Sequence, residues 1–257
     1  MKKVIIGFMA IAIVCLCGCK NTQSKGSDEQ QKADSLAEVE RASFRSSDLD
    51  CYNLKGHVKE CVMKAYDKEG KENGDFRNLS FTKEGLIEKD ETPYRGKLSF
   101  EYGKSGEFLA GKDLSSTDMK VTLKRDKNGR IQSVRRQAAD GGDSDAQYEL
   151  KYSYDKENRL KGIECSYWEA SENITFSYAS KEDFFVATEK INTGDYEVEI
   201  VTTKSYNYVK LDSYGNWVMR EVTATEDKSI TEMGEEASTT TREKLPVVIE
   251  KREIVYW

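Results

Sequence analysis

From about residue 50 to the C-terminus, apolar and polar side chains alternate with a period of two. Tyr148, Leu150, Tyr152 and Tyr154 fall on one side of an extended chain, and Glu149, Lys151, Ser153 and Asp155 on the other. The same alternation sets Leu98, Phe100 and Tyr102 against Ser99 and Glu101, and Val121 and Leu123 against Thr122 and Lys124. It also sets Ile174, Phe176 and Tyr178 against Thr175 and Ser177, and Trp217 and Met219 against Val218 and Arg220. One face for a core and one charged face for water is the pattern of antiparallel strands. Helical spacing is absent over these windows, so the chain reads as all-β.

Between the runs a polar reversal recurs: Tyr66 to Gly70, Phe81 to Gly85, Tyr102 to Gly106, Arg125 to Gly129 and Leu211 to Gly215, with Tyr154 to Asn158 as the variant ending in Asn. A type I turn followed by a left-handed residue needs Gly or Asn there, because other side chains clash at positive φ. Each block therefore predicts a hairpin with a bulged loop. Consecutive hairpins make an antiparallel meander, roughly ten to thirteen strands of ordinary length. A sheet that wide curls, either into an open curved sheet or into an up-and-down barrel. Glu226 to Thr240 is acidic with little apolar content and reads as the longest loop, after which the chain returns as a last strand ending at Trp257.

The N-terminus is different. Met1-Lys2-Lys3 is basic, Val4 to Leu16 is nearly all apolar, and Leu16-Cys17-Gly18-Cys19 follows. This is a secretory leader, too short for an ordinary membrane span. Its last four residues resemble the lipobox of bacterial lipoproteins, which implies cleavage before Cys19 and lipidation of that thiol. Several acyl chains on one cysteine anchor stably where a single chain binds only marginally. Residues 1–18 are then the lipoprotein signal peptide, a signal helix. Residues 19–47, rich in Ser, Gln, Lys, Asp and Glu, form a disordered, flexible tether, and residues 48–257 form a single all-β domain. Asp34-Ser35-Leu36 resembles the short signature at which Bacteroidetes O-glycosylate exported proteins, which makes Ser35 a candidate glycosylation site.

Tyr154-Asp155-Lys156-Glu157-Asn158-Arg159-Leu160 resembles the YD repeats of RHS-type proteins. Asn53 to Lys59 and Asp212 to Trp217 look like the opening and closing phrases of a group of small Bacteroidetes lipoproteins built from degenerate YD-like hairpins. That resemblance covers roughly residues 50–257, while Lys20, in place of the aspartate that holds bacterial lipoproteins in the inner membrane, leaves the outer membrane as the expected location, facing either the periplasm or the medium. The resemblance speaks to architecture more than to activity.

Charge and chemistry narrow the function classes. Asp and Glu number 46 against 40 Lys and Arg, for a net charge of −6, and no basic cluster stands out, which argues against nucleic acid as a partner. Beyond the leader and Cys19, three cysteines remain, Cys51, Cys61 and Cys165. That odd number is no disulfide framework: three partly buried apolar cysteines are the simpler reading, with a Cys51 to Cys61 bridge sterically conceivable. With His57 as the only histidine and no CxxC, the usual zinc ligand sets are missing, and no serine or cysteine nucleophile has a base beside it. Asp140 to Asp145 lacks the spacing of a calcium loop and reads as acidic loop. A membrane-spanning barrel would share the alternation, but Lys251 and Glu253 sit where its lipid face would need apolar residues. No catalytic residue, cofactor or metal is expected, and the protein is not expected to be an enzyme. Two functional classes stay open: a binding or structural module for an envelope protein, and a carrier of a glycan or apolar ligand in the concave face of the sheet. Of the aromatics, which mostly serve packing, Tyr167, Trp168 and Trp217 are the candidate ligand-binding rings, each beside a turn. The membrane is reached through the N-terminal lipid.

Overall fold

The computed structural model describes residues 43–142, 146–167, 170–194, 198–231 and 238–257. The signal peptide, Cys19, Ser35 and Trp168 lie outside the described residues, as do Asp143 to Asp145 of the acidic loop. A one-turn helix, α1 (Ser47–Cys51), precedes fifteen strands. These are β1 (Val58–Tyr66), β2 (Glu72–Phe81), β3 (Ile87–Thr92), β4 (Gly96–Tyr102), β5 (Phe108–Asp113), β6 (Met119–Arg125), β7 (Ile131–Ala138) and β8 (Tyr148–Tyr154). There follow β9 (Leu160–Ser166), β10 (Ser171–Ser177), β11 (Thr188–Gly194), β12 (Val198–Leu211), β13 (Trp217–Thr231), β14 (Ser238–Lys244) and β15 (Val248–Tyr256).

Each strand from β1 to β13 pairs antiparallel with the next in sequence. The ring closes through β15, which pairs with β1 along its length and with β13 through Met219 to Val222. Fourteen strands thus form a closed barrel, and β14 lies along the outer half of β13. Of the two forms left open by the sequence, the barrel is the one adopted; an open sheet would leave two unpaired edges. The segment 226–240 is not a long loop: β13 runs through to Thr231, and β14 pairs back from Ser238 in register, Ser229 opposite Thr240 with their hydroxyls 3.0 Å apart. Its Ser and Thr residues suit a pleated ladder better than their lack of apolar bulk suggested.

All six reversals have the expected geometry. In each, the first turn residue accepts from the N–H three positions on and donates to the carbonyl four positions on, as Asp155 does with Asn158 and Arg159. The closing residue has positive φ every time, from 65° at Asn158 to 86° at Gly70. The strand order puts five of the six at the same end of the barrel, after β2, β4, β6, β8 and β12. The structure also explains the Tyr-Asp and Arg-Leu parts of the pattern. Tyr154 donates to the carbonyl of Ile131 on the adjoining strand, and Tyr102 and Tyr178 do the same to Ile87 and Leu160. Asp155 caps the backbone of its own turn and pairs with Arg159, whose guanidinium lies over the Tyr178 ring of the following hairpin, 4.0 Å from its centroid. Asp126, Arg130 and Tyr154 repeat that chain of contacts. Leu160 and Ile131 then enter the core.

A ring of fourteen strands encloses more space than its own side chains fill, since eight already suffice for a side-chain-filled interior. Here the chain ahead of β1 supplies a plug. Leu49 and Leu54 are fully buried, and Cys51 and Tyr52 nearly so. Ser46 caps α1, accepting from Leu49 N–H, and donates to the carbonyl of Gly85; Ser47 donates to that of Gly129. Asp48, with no exposed surface, accepts from both terminal nitrogens of Arg125 and from Ile87 N–H at 2.8 Å. Phe44, near the end of the stretch read as tether, stacks on His57 with centroids 4.3 Å apart. The plug therefore seals the end where the YD-like turns cluster.

The outward face is polar. Glu101, Lys120, Lys124, Lys151, Lys161 and Glu164 are all exposed along the strands, positions at which a lipid-facing wall would carry apolar side chains. Leu109, Val209, Leu211, Ile230 and Val255 are the large apolar side chains exposed on the described strands.

Candidate functional site

Inside the barrel a cavity of about 250 Å3 lies beyond the plug. Cys51, Tyr52 and Asn53 of the plug form one wall. Cys61 and Met63 of β1, Leu79 of β2, Ile163 of β9 and Phe176 of β10 supply apolar lining from two arcs of the ring. Leu160, Ile174, Val186 and the rings of Tyr152, Tyr206 and Trp217 also line it, and charge enters where inward positions of β2, β11, β12, β13 and β15 carry Arg77, Glu189, Lys204, Arg220, Glu250 and Arg252, with Arg95 from the β3–β4 turn.

Most of these charges are paired across strands. Arg77 reaches Asp90 on β3 with two bonds, at 3.0 and 2.6 Å, and lies over the Tyr52 ring. Arg95 meets Glu172 at 2.9 Å, Lys204 meets Glu189 at 3.3 Å, and Arg220 meets Glu250 at 2.5 Å. Tyr206 donates to Glu189 at 2.6 Å; burial and that carboxylate push its hydroxyl pKa far up, so it remains a donor. Arg252 has a different environment. Its guanidinium sits 3.7 Å from the Trp217 ring centroid and donates to the carbonyls of Asn53 and Tyr52 at 3.3 and 3.2 Å. Those carbonyls follow α1, so the cation satisfies acceptors that a helix end leaves open. Burial, with Arg220 as a like-charged neighbour, lowers the Arg252 pKa to about 10.

Of the rings singled out from the sequence, Trp217 belongs to this site. It is completely buried, with Arg220 and Arg252 both against it and Tyr208 at 6.2 Å. It opens β13, whereas Tyr167 stands in the β9–β10 turn at the other end of the barrel, partly exposed and beside Tyr148. The structure does not bring the two together, and Trp168 lies outside the described residues. Trp217 is thus an internal ring rather than a surface platform. The charged members of the site went unnoticed in the sequence, although a signal existed. Glu250, Arg252, Ile254 and Tyr256 share one strand face, so charge on the face carrying Tyr256 was legible. For Arg220 the reading was inverted: register shifts at Tyr208 to Lys210 and at Lys210 to Leu211 break the alternation, and Arg220 turns inward opposite Tyr208.

The cysteines are free and buried, so the bridge between Cys51 and Cys61 is not formed. Burial and nearby Asp48 push the Cys51 thiol up to about 12, the opposite of an activated nucleophile. Among the described residues no group of three or more His, Cys, Asp or Glu is placed to hold a metal.

No family model and no curated protein sequence matches the chain. Among solved structures it is similar to a porin-like protein from Bacteroides uniformis, with 12% identity and a TM-score of 0.42, over 77% of this chain and 96% of that one. It is also similar to TcdB2-TccC3-TEV, with 12% identity and a TM-score of 0.18, over 72% of this chain and 15% of that one.

Proposed function

We propose that this protein is an envelope binding protein that holds a small molecule inside its barrel and does no chemistry on it. The observation that carries the reading is the lumen cavity, lined by apolar side chains and by fixed charges, all but one of whose cations are paired with a carboxylate. An engineered cavity of about 150 Å3 already admits benzene, so this one admits a ligand of about ten non-hydrogen atoms. Of the two classes left open by the sequence, the carrier is therefore favoured over the purely structural module. Lipidation at Cys19, which the lipobox resemblance implies, would hold the barrel at the membrane, most simply the outer membrane; the charges on the outward face support a barrel hung from the bilayer rather than threaded through it.

The test is to fill the cavity. Met63 points into it from β1, and Met63→Trp adds bulk there at little cost elsewhere. Ligand extracted from the purified protein, or probe binding measured by calorimetry, should be lost in Met63→Trp while the circular dichroism of the barrel is retained. Binding that survives in a folded Met63→Trp variant refutes the lumen as the site. The anchor is tested separately: Cys19→Ala should abolish acyl labelling and release the protein from the membrane fraction.

A further inference from the structure

The charges around the cavity define the chemistry of its occupant, given that the lumen is a binding site. Five cationic side chains line it: Arg77, Arg95, Lys204, Arg220 and Arg252. Four have a carboxylate of their own, in Asp90, Glu172, Glu189 and Glu250. Arg252 has none among the described residues. Its two hydrogen bonds go to neutral carbonyls, and its Nε–H is buried with no acceptor. A guanidinium has five N–H groups in a planar fork shaped for a two-oxygen acceptor, so three remain to be satisfied.

Nor can Arg252 escape by losing its proton, since its lowered pKa still lies well above neutrality. The cavity therefore carries one positive charge without a carboxylate of its own, and a largely buried charge without a counter-ion is costly. Its nearest charged neighbours are Arg220, of like sign, and Glu250, already bound to Arg220. An incoming single negative charge completes the set. The apolar lining, Met63, Ile163 and Phe176 among it, is suited to a hydrocarbon body rather than to a second charge.

We infer that the lumen binds a small organic monoanion, a carboxylate with an aliphatic or aromatic body, whose head pairs with Arg252 and whose body lies against the apolar lining of the cavity. The choice of a monoanion follows from the surplus of one; a dianion would leave a negative charge as poorly placed as the present positive one.

The experiment is calorimetric titration of the full chain with benzoate and hexanoate, each beside its uncharged amide, benzamide and hexanamide. The carboxylates should bind at least tenfold more tightly than their amides, and Arg252→Met should remove that preference. Amides binding as tightly as the acids would overturn the anion and leave the lumen reading standing. Carboxylate binding that persists in folded Met63→Trp would place the site elsewhere and overturn both. Because Arg252 also holds the plug, the acid-to-amide ratio on the unaltered protein decides the matter if Arg252→Met does not fold.

Discussion

Removing the carboxylate of Asp48 tests whether the plug holds the barrel together. Asp48 has no exposed surface, and Arg125 wraps it with both terminal nitrogens while Ile87 N–H supplies a third donor. Asp48→Ala leaves Arg125 in place with its partner gone. Breaking one side of a buried pair costs about 3–5 kcal/mol, because the surviving charge is left uncompensated. The orphaned Ile87 N–H adds to this, although the two contributions share one carboxylate and do not sum in full. At roughly 2–4 °C per kcal/mol for a domain of this size, the melting temperature should fall by about 6–20 °C. Guanidinium denaturation followed by circular dichroism gives the free energy directly. A second variant separates charge from shape: Asp48→Leu with Arg125→Met replaces the pair by apolar groups and should be distinctly more stable than Asp48→Ala, since the penalty lies in the unpaired ion. A loss below about 1 kcal/mol for Asp48→Ala, or a double variant no better than the single one, would show that the plug is not locked through this pair.

Two further perturbations probe separate parts of the structure. Cys51, Cys61 and Cys165 are all buried and unpaired, and burial raises each thiol pKa, so all three should resist an exposed-thiol reagent at pH 8 in the folded protein and react together on unfolding; fast labelling of any one in native conditions would contradict the packing. At Asn158, φ is 65°, so Asn158→Gly should change stability by less than about 1 kcal/mol while the β-branched Asn158→Val should cost about 1–3 kcal/mol; equal effects in a denaturation series would mean that the turn does not need a left-handed residue there.

The fold was legible to the extent that it rests on local rules. Period-two alternation marked the strands, and Gly or Asn at positive φ marked six of the bends, because both are fixed by residues within a few positions of one another. What the local pattern could not carry was closure. Whether β15 meets β1 depends on pairings such as Cys61 with Ile254, nearly two hundred residues apart, for which no single stretch holds the information. The 226–240 segment was misread for a related reason: Glu226 to Thr231 and Ser238 to Thr240 pair on the extension of a hairpin, where strand formation needs no apolar face. The plug escaped notice because α1 is a single turn whose order comes from Arg125, Gly85 and Gly129 rather than from its own propensity.

The site was hidden by the opposite cause, a breach of the rule that made the strands visible. Inward positions should be apolar, yet β2, β11, β12, β13 and β15 place Arg77, Glu189, Lys204, Arg220, Glu250 and Arg252 there. Buried ion pairs are poor stabilisers, and apolar replacements of like volume are often as good or better. The rest of this barrel shows that apolar filling was within reach, since Phe81, Ile87, Val121 and Ile131 close the neighbouring interior completely. A lumen that is packed dry in one part is kept charged around a void in another, and it is there that most of its inward charge is gathered. Departures of that kind concentrate at functional sites. The four satisfied pairs hold the walls at fixed positions, and the fifth cation is left facing the space they enclose. Replacing the four pairs by apolar residues should make the barrel more stable and less able to bind, and that trade is the mark of a site rather than of a core.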